Sequence, residues 1–127
     1  MSVPQKPLRY LNLLAIRLPL PGILSIFHRI SGVLLILALP AALALLQYSV
    51  DSPDGYDKVV SLLAHPFIKL LVWAAAWAFL HHFCAGIRFL LLDFHIGTAL
   101  AAARFSAGLA FAVSLLLTLL CGVWLWL

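Results

Sequence analysis

The chain has 127 residues, 65% of them hydrophobic and only 9% charged, a composition far outside that of soluble globular domains. Three stretches, 30–50, 70–87 and 105–127, contain no Asp, Glu, Lys or Arg, which excludes a soluble helical bundle, because each of its helices would need a polar face. The net charge of +4 reflects a few cations placed around these stretches, and nucleic-acid binding is not needed to explain it.

In chain order, residues 1–24 combine several prolines with Lys6, Arg9 and Arg17, which suits an extended arm on a membrane surface. A cleavable signal peptide is not expected, since the first apolar run begins late and no small-residue cleavage site closes it. The first span is predicted at about 25–50. Pro40 lies in its middle, so a local kink is expected there, with the freed carbonyl satisfied by a neighbouring helix. A polar connection at 51–61 follows, with Ser-Pro-Asp-Gly as a turn signal. The second span is predicted at about 66–92, opening on Pro66 and closing at Asp93. A loop at 94–103 with His95 and Gly97 leads to a third span at about 104–127, where Trp124 and Trp126 suit the interface. Each span is about the length needed to cross roughly 30 Å of hydrocarbon. The whole is one transmembrane domain, 1–127. Cys84 and Cys121 lie inside spans without CxxC spacing, and read as small packing residues.

The cations set an orientation. Lys6, Arg9, Arg17 and Arg29 precede the first span, and Arg88 and Arg104 flank the second loop. The first loop has Lys58 against Asp51, Asp54 and Asp57, although Lys69 just inside the second helix weakens the contrast. The positive-inside rule then puts the N-terminus in the cytoplasm and the C-terminus outside.

Polar groups inside a membrane are costly and point to function. The second span holds HHFCAGIRFLLLD at 81–93. His82 lies about 20 Å from Lys69 and about 16 Å from Asp93 along a helix, near mid-bilayer. Gly86, four residues on, shares its face and leaves a gap beside the imidazole that a flat macrocycle can enter. Neutral imidazole is a good haem-iron ligand, but a histidine bonded to a neighbouring helix satisfies the same spacing. His81 points about 100° away and shares a face with Arg88. It reads as a packing or hydrogen-bonding residue, and Arg88 as an interfacial arginine pairing with Asp93 or lipid phosphate.

At the start of the first span, Ser25, His28 and Arg29 are spaced i, i+3 and i+4 and gather on one face. Their donors suit quinone oxygens or haem propionates. An N-cap serine with basic residues among lipid headgroups accounts for them equally well. If an iron takes two histidines, a partner subunit must donate the second, since the third span has none and the first has only the interfacial His28.

The motifs S-x-x-H-R-x-[ST]-G at 25–32 and H-x-x-x-G-x-R-x-x-x-x-D at 82–93, in this order on these spans, resemble the cytochrome b large anchor subunits of proteobacterial succinate dehydrogenase, respiratory complex II. The resemblance covers nearly the whole chain. It implies an all-α membrane protein of three transmembrane helices with an N-terminal interfacial arm, part of a haem-binding bundle shared with a second, small anchor subunit. By resemblance His82 is the axial ligand of haem b, Ser25 and Arg29 belong to a ubiquinone site, and His28, Arg29 and Arg88 stand near the haem propionates. The implied partners are a flavoprotein subunit, an iron–sulfur subunit, the small anchor subunit and membrane lipid. The implied location is a bacterial inner membrane, and the implied activity is electron transfer from succinate oxidation to ubiquinone. The opposite reaction, by a fumarate reductase anchor, and a cofactor-free structural subunit are the alternatives. Many members carry a second histidine directly after the motif arginine, where Phe89 stands here. No role is assigned to Phe89, His81 or His95.

Overall fold

The computed structural model describes residues 17–127, which form four helices: α1 at Leu20–Asp51, α2 at Pro53–Ala64, α3 at Pro66–Asp93 and α4 at Leu100–Trp126. Residues 1–16 of the expected arm lie outside the described residues. The helix begins earlier than its polar residues suggest. Pro19 is the N-cap, with φ −68° and ψ 155°, and Pro21 sits in the first turn, where a missing N–H costs nothing. Pro19 also offers its carbonyl to Gly22 N at 2.8 Å and Ile23 N at 3.1 Å. α1 then runs without interruption through Pro40.

The connection at 51–61 is not a turn but the twelve-residue helix α2. Ser-Pro-Asp-Gly serves equally as N-cap, N1 and N2. The Ser52 hydroxyl accepts from Gly55 N at 3.0 Å, Pro53 opens the first turn, and Asp54 lies beside the positive end of the helix dipole. Lys58 Nζ is 2.7 Å from Asp54 Oδ2 one turn on, and this neighbouring carboxylate raises the Lys58 pKa. Gly55 is required on packing grounds, because a Cβ there would collide with the Tyr48 carbonyl.

His65 breaks the chain between α2 and α3 with ψ 130°, and its Nδ1 accepts from Phe67 N at 3.3 Å. α3 closes in a Schellman motif: Ile96 N donates to Leu91 O and His95 N to Leu92 O, each at 2.9 Å. His95 holds the left-handed position with φ 61°, a place usually given to glycine. α4 starts at Leu100, before the expected 104, because Leu-Ala-Ala-Ala at 100–103 are strong helix formers.

α4 packs on α3 through a stripe of small residues, Ala107, Ala110, Ser114, Thr118 and Gly122, all buried. Small side chains let backbones approach where burial from water gives no drive. The Ser114 hydroxyl donates to Phe111 O at 3.0 Å and that of Thr118 to Ser114 O at 2.7 Å, so neither is left bare. The indole of Trp73 donates to Thr118 O at 2.7 Å across Gly122, where a Cβ would fall 2.7 Å from the indole nitrogen. At the same end Lys69 Nζ donates to Leu125 O at 3.1 Å, capping one of the terminal carbonyls of α4. A cluster of Leu24, Ala85, Ala107 and Ala110 joins α1 to this pair.

Almost all large apolar side chains face outward, and α1 buries only Leu24 and Ser31. Such a surface requires an apolar surrounding. α1, α3 and α4 are each long and apolar enough to cross a membrane, whereas α2 is not.

Candidate functional site

The functional candidates meet where α1 crosses α3. His82 Nδ1 lies 3.0 Å from the His28 carbonyl oxygen and 3.3 Å from Ser31 Oγ. A carbonyl only accepts, so His82 must carry its proton on Nδ1. The Ser31 hydroxyl gives its own hydrogen to the same His28 carbonyl at 2.9 Å and turns a lone pair toward the imidazole. Both partners therefore fix one tautomer and one ring orientation, leaving Nε2 with a free lone pair. This is how metal-ligating histidines are commonly held.

Gly32 makes the approach possible. A Cβ there would stand 2.9 Å from His82 Cε1 and 3.3 Å from Nδ1. The ring of His28 lies parallel to that of His82, with centroids 4.1 Å apart and planes at 11°. His28 Nε2 is 3.6 Å from the place of a Cβ on Gly86, so the gap expected at Gly86 is taken by His28 rather than left open for a macrocycle. Sequence spacing gives the notch but not which side chain fills it. Phe89 closes the other flank with its edge on His28 at 5.0 Å.

The open space beside His82 is on its opposite side. A groove of about 520 Å³ runs along Gly32, Leu35, Ala38 and Ala42 of α1 and Ala75 and Phe79 of α3, with His82 at its end. Its walls are apolar and made shallow by small residues, as suits a flat apolar ligand. Stacked on His82, His28 cannot occupy the opposite face of an iron bound there. Among the described residues no cluster of three or more His, Cys, Asp or Glu could hold a metal ion without help.

The remaining candidates divide between two faces. Ser25, half-buried, and Arg29, exposed, lie one turn apart on α1. Neither has a side-chain hydrogen bond or ion pair among the described residues. Since the N-cap is Pro19, Ser25 is an interior helical residue and not a cap. Arg29 borders a hollow of about 260 Å³ with Ile30, Val33 and Leu34. Arg88 is not brought to the histidine pair. It is 5% exposed, and its guanidinium donates to Ser106 Oγ at 3.0 Å and to Ala103 O at 3.1 Å on α4. Nor does it pair with Asp93: the Lys58–Asp54 bridge is the one ion pair among the described residues.

His81 also faces α4, as its helical angle requires. Its Nδ1 is 3.4 Å from Ser114 Oγ, and its ring lies among Trp77, Phe111 and Phe27 at centroid distances of 5.5, 5.1 and 6.0 Å. It is 1% exposed, and its Nε2 is buried without a hydrogen-bond partner. His65 and His95 lie at helix ends, away from the pair.

Ala75 and Phe79 line the site without having been singled out in the sequence, whereas Ser31 and Gly32 close the motif at 25–32 but were given no role of their own. Ser31 and Gly32 fall three and four residues after His28, and so on its face.

The chain matches the family described as the succinate dehydrogenase/fumarate reductase transmembrane subunit over residues 3–121. It is also similar to a Coxiella burnetii protein named succinate dehydrogenase cytochrome b556 subunit, with 39% identity over 117 residues, covering 91% of this chain and 94% of that protein. The all-helical architecture with three membrane-long apolar helices agrees with both, and the chain, a multi-pass membrane protein, belongs to the succinate dehydrogenase/fumarate reductase transmembrane subunit family.

Proposed function

We propose that the chain anchors a succinate:ubiquinone oxidoreductase in the membrane and supplies one axial ligand, His82 Nε2, to a haem b completed by a histidine of a second anchor subunit. The observation carrying this reading is the capture of His82 Nδ1 by the His28 carbonyl and Ser31 at the end of an apolar groove. A tied Nδ1–H makes Nε2 the ligating atom and raises its basicity. The name of the 39% identical relative favours a succinate dehydrogenase over a fumarate reductase, and a cytochrome over a cofactor-free anchor.

When bound, the haem supplies reversible one-electron chemistry. The roles of this chain's residues follow from their donors. His28, stacked on His82, and Arg29, its neighbour in sequence, offer an imidazole and a guanidinium to haem propionates, which favours those charges. Ser25 and Arg29, on the flank away from α4, hydrogen-bond the quinone oxygens and stabilise negative charge there as electrons arrive. Arg88 serves the site less directly: it fixes α3 against the start of α4, and only its unused donors remain for a propionate. Succinate oxidation belongs to the flavoprotein partner, and electrons reach the quinone through the iron–sulfur partner.

We place the end bearing Arg17, Arg29, Arg88 and Arg104 in the cytoplasm of a bacterial cell, with the protein in the inner membrane. The contrary charge, Lys69, is bonded to one terminal carbonyl of α4, that of Leu125. The test is the haem-to-flavin ratio of the purified complex. His82→Ala should lower it on the order of tenfold or more, since losing even an outer partner of a metal ligand costs about 10–100-fold in affinity, while His81→Ala leaves it near the wild-type value. Equal loss in both would overturn the ligand assignment.

A further inference from the structure

The connecting helix α2 has no place in the reading above, yet its two sides are sharply divided. On a helical projection Asp54, Asp57, Lys58 and Ser61 fall on one side, and Gly55, Tyr56, Val59, Val60, Leu62 and Leu63 on the other. Only Gly55 and Val59 of the apolar side are buried, while Tyr56, Val60, Leu62 and Leu63 are exposed. In water this face would be a liability.

The helix lengths say where the face sits. The His28–His82 stack sets the register between α1 and α3, with ring centroids 4.1 Å apart. Beyond it α1 continues 23 residues to Asp51, about 35 Å, whereas α3 has only 16 residues between Pro66 and His82, about 24 Å. α2 must therefore descend about 10 Å from the end of α1 to the start of α3. At about 18 Å long, and joined by single non-helical residues, Ser52 and His65, it lies slanted at the membrane boundary. The same end carries Trp124, Trp126 and Lys69, with Lys69 Nζ 5.6 Å from the Trp126 ring centroid, an interfacial grouping.

We infer that α2 is an interfacial helix that dips Tyr56, Val60 and Leu63 into the headgroup and upper acyl region of the bilayer, holding Asp54, Asp57 and Lys58 in water. Its occupant is lipid. The slant turns the helix back toward the bilayer, the tyrosine is amphipathic, and the charges are confined to the opposite side. The helix thereby sets how deeply the spans sit. The inference does not rest on the haem or quinone reading.

The experiment uses the whole purified complex in vesicles of phosphatidylcholine and phosphatidylglycerol. Nitroxide labels are placed through Tyr56→Cys, Leu63→Cys, Asp57→Cys and Ser61→Cys in a Cys84→Ala, Cys121→Ala background. Labels at 56 and 63 should be relaxed more by oxygen than by a water-soluble nickel chelate, and labels at 57 and 61 the reverse. Nickel access at all four sites would put the helix in water, and exclusion of both reagents from 56 and 63 would put a protein partner on that face. Either result overturns the inference. Should the background variant fail to assemble, the wild-type complex labelled with a diazirine phospholipid decides: adducts on Tyr56 and Leu63 are expected, and their absence from 53–64 contradicts it.

Discussion

At the scale of single residues, one carbonyl and one hydroxyl decide what His82 can do. The His28 carbonyl, at 3.0 Å, is the nearer acceptor of the Nδ1 proton, and Ser31 adds a longer contact at 3.3 Å. Ser31→Ala should therefore leave haem bound but loosen the ring, shifting the haem potential and broadening its optical band, as changes around a metal ligand do. An unchanged potential and band would show that the carbonyl suffices. Gly32 tolerates less, because its added Cβ meets a ring that cannot swing away while Nδ1 is held. Gly32→Ala should lose more haem than Gly86→Ala, whose Cβ would meet His28 at an ordinary contact of 3.6 Å. Haem content of the two variants side by side checks the order, and the reverse would return the open gap to Gly86. The sequence singles out several of these residues but not their contacts. A histidine far from any interface was visible from the charge-free span around His82, as was the polar face of Ser25, His28 and Arg29. Hidden was the contact between the two sets, since helix spacing cannot show that His28 of one span stacks on His82 of another. Hidden too was the pairing of Arg88 with α4, because an angle on α3 does not say that α4 offers Ser106 and the Ala103 carbonyl.

At the scale of elements, the spans were legible because 18 or more uncharged residues in lipid have few alternatives to a helix. Their ends were not, because capping chemistry is ambiguous. Ser-Pro-Asp-Gly codes for a turn or for a helix start, and the amphipathic residues after it decide for α2. Ser52→Ala, which removes the side chain bonded to Gly55 N, should cost about 1 kcal/mol and fray α2 without unfolding the spans. Hydrogen exchange of 53–58 reads this directly, and unchanged protection would mean that packing alone holds the helix. At the other end of α3, His95 holds a left-handed conformation that costs a non-glycine residue about 1 kcal/mol. His95→Gly should raise the thermal midpoint of the complex slightly, and a fall would reveal a role for the imidazole beyond the cap. The α3–α4 interface is less forgiving. Gly122→Ala drives a methyl into the Trp73 indole and should destabilise that end by about 1–3 kcal/mol, seen as a lower midpoint and a changed tryptophan emission.

At the scale of the whole molecule, the three spans are unequally packed, the first being the least buried. α3 and α4 are joined by small residues and interhelical hydrogen bonds, while α1 presents most of its length outward beside a groove that ends on a histidine. The proposed sharing of a cofactor with a second subunit would use this exposed side. The composition foretold the membrane, but the side of His82 that stays open is set by the crossing of α1 and α3, which no sequence spacing shows. The measurement that tests this most directly is a dithionite-reduced minus oxidised spectrum of the purified complex, wild type beside His82→Ala and His81→Ala. A sharp low-spin b-type signal in the wild type and in His81→Ala, lost or strongly altered in His82→Ala, is the expected result; no haem signal in the wild type, or an unchanged one in His82→Ala, would contradict the account.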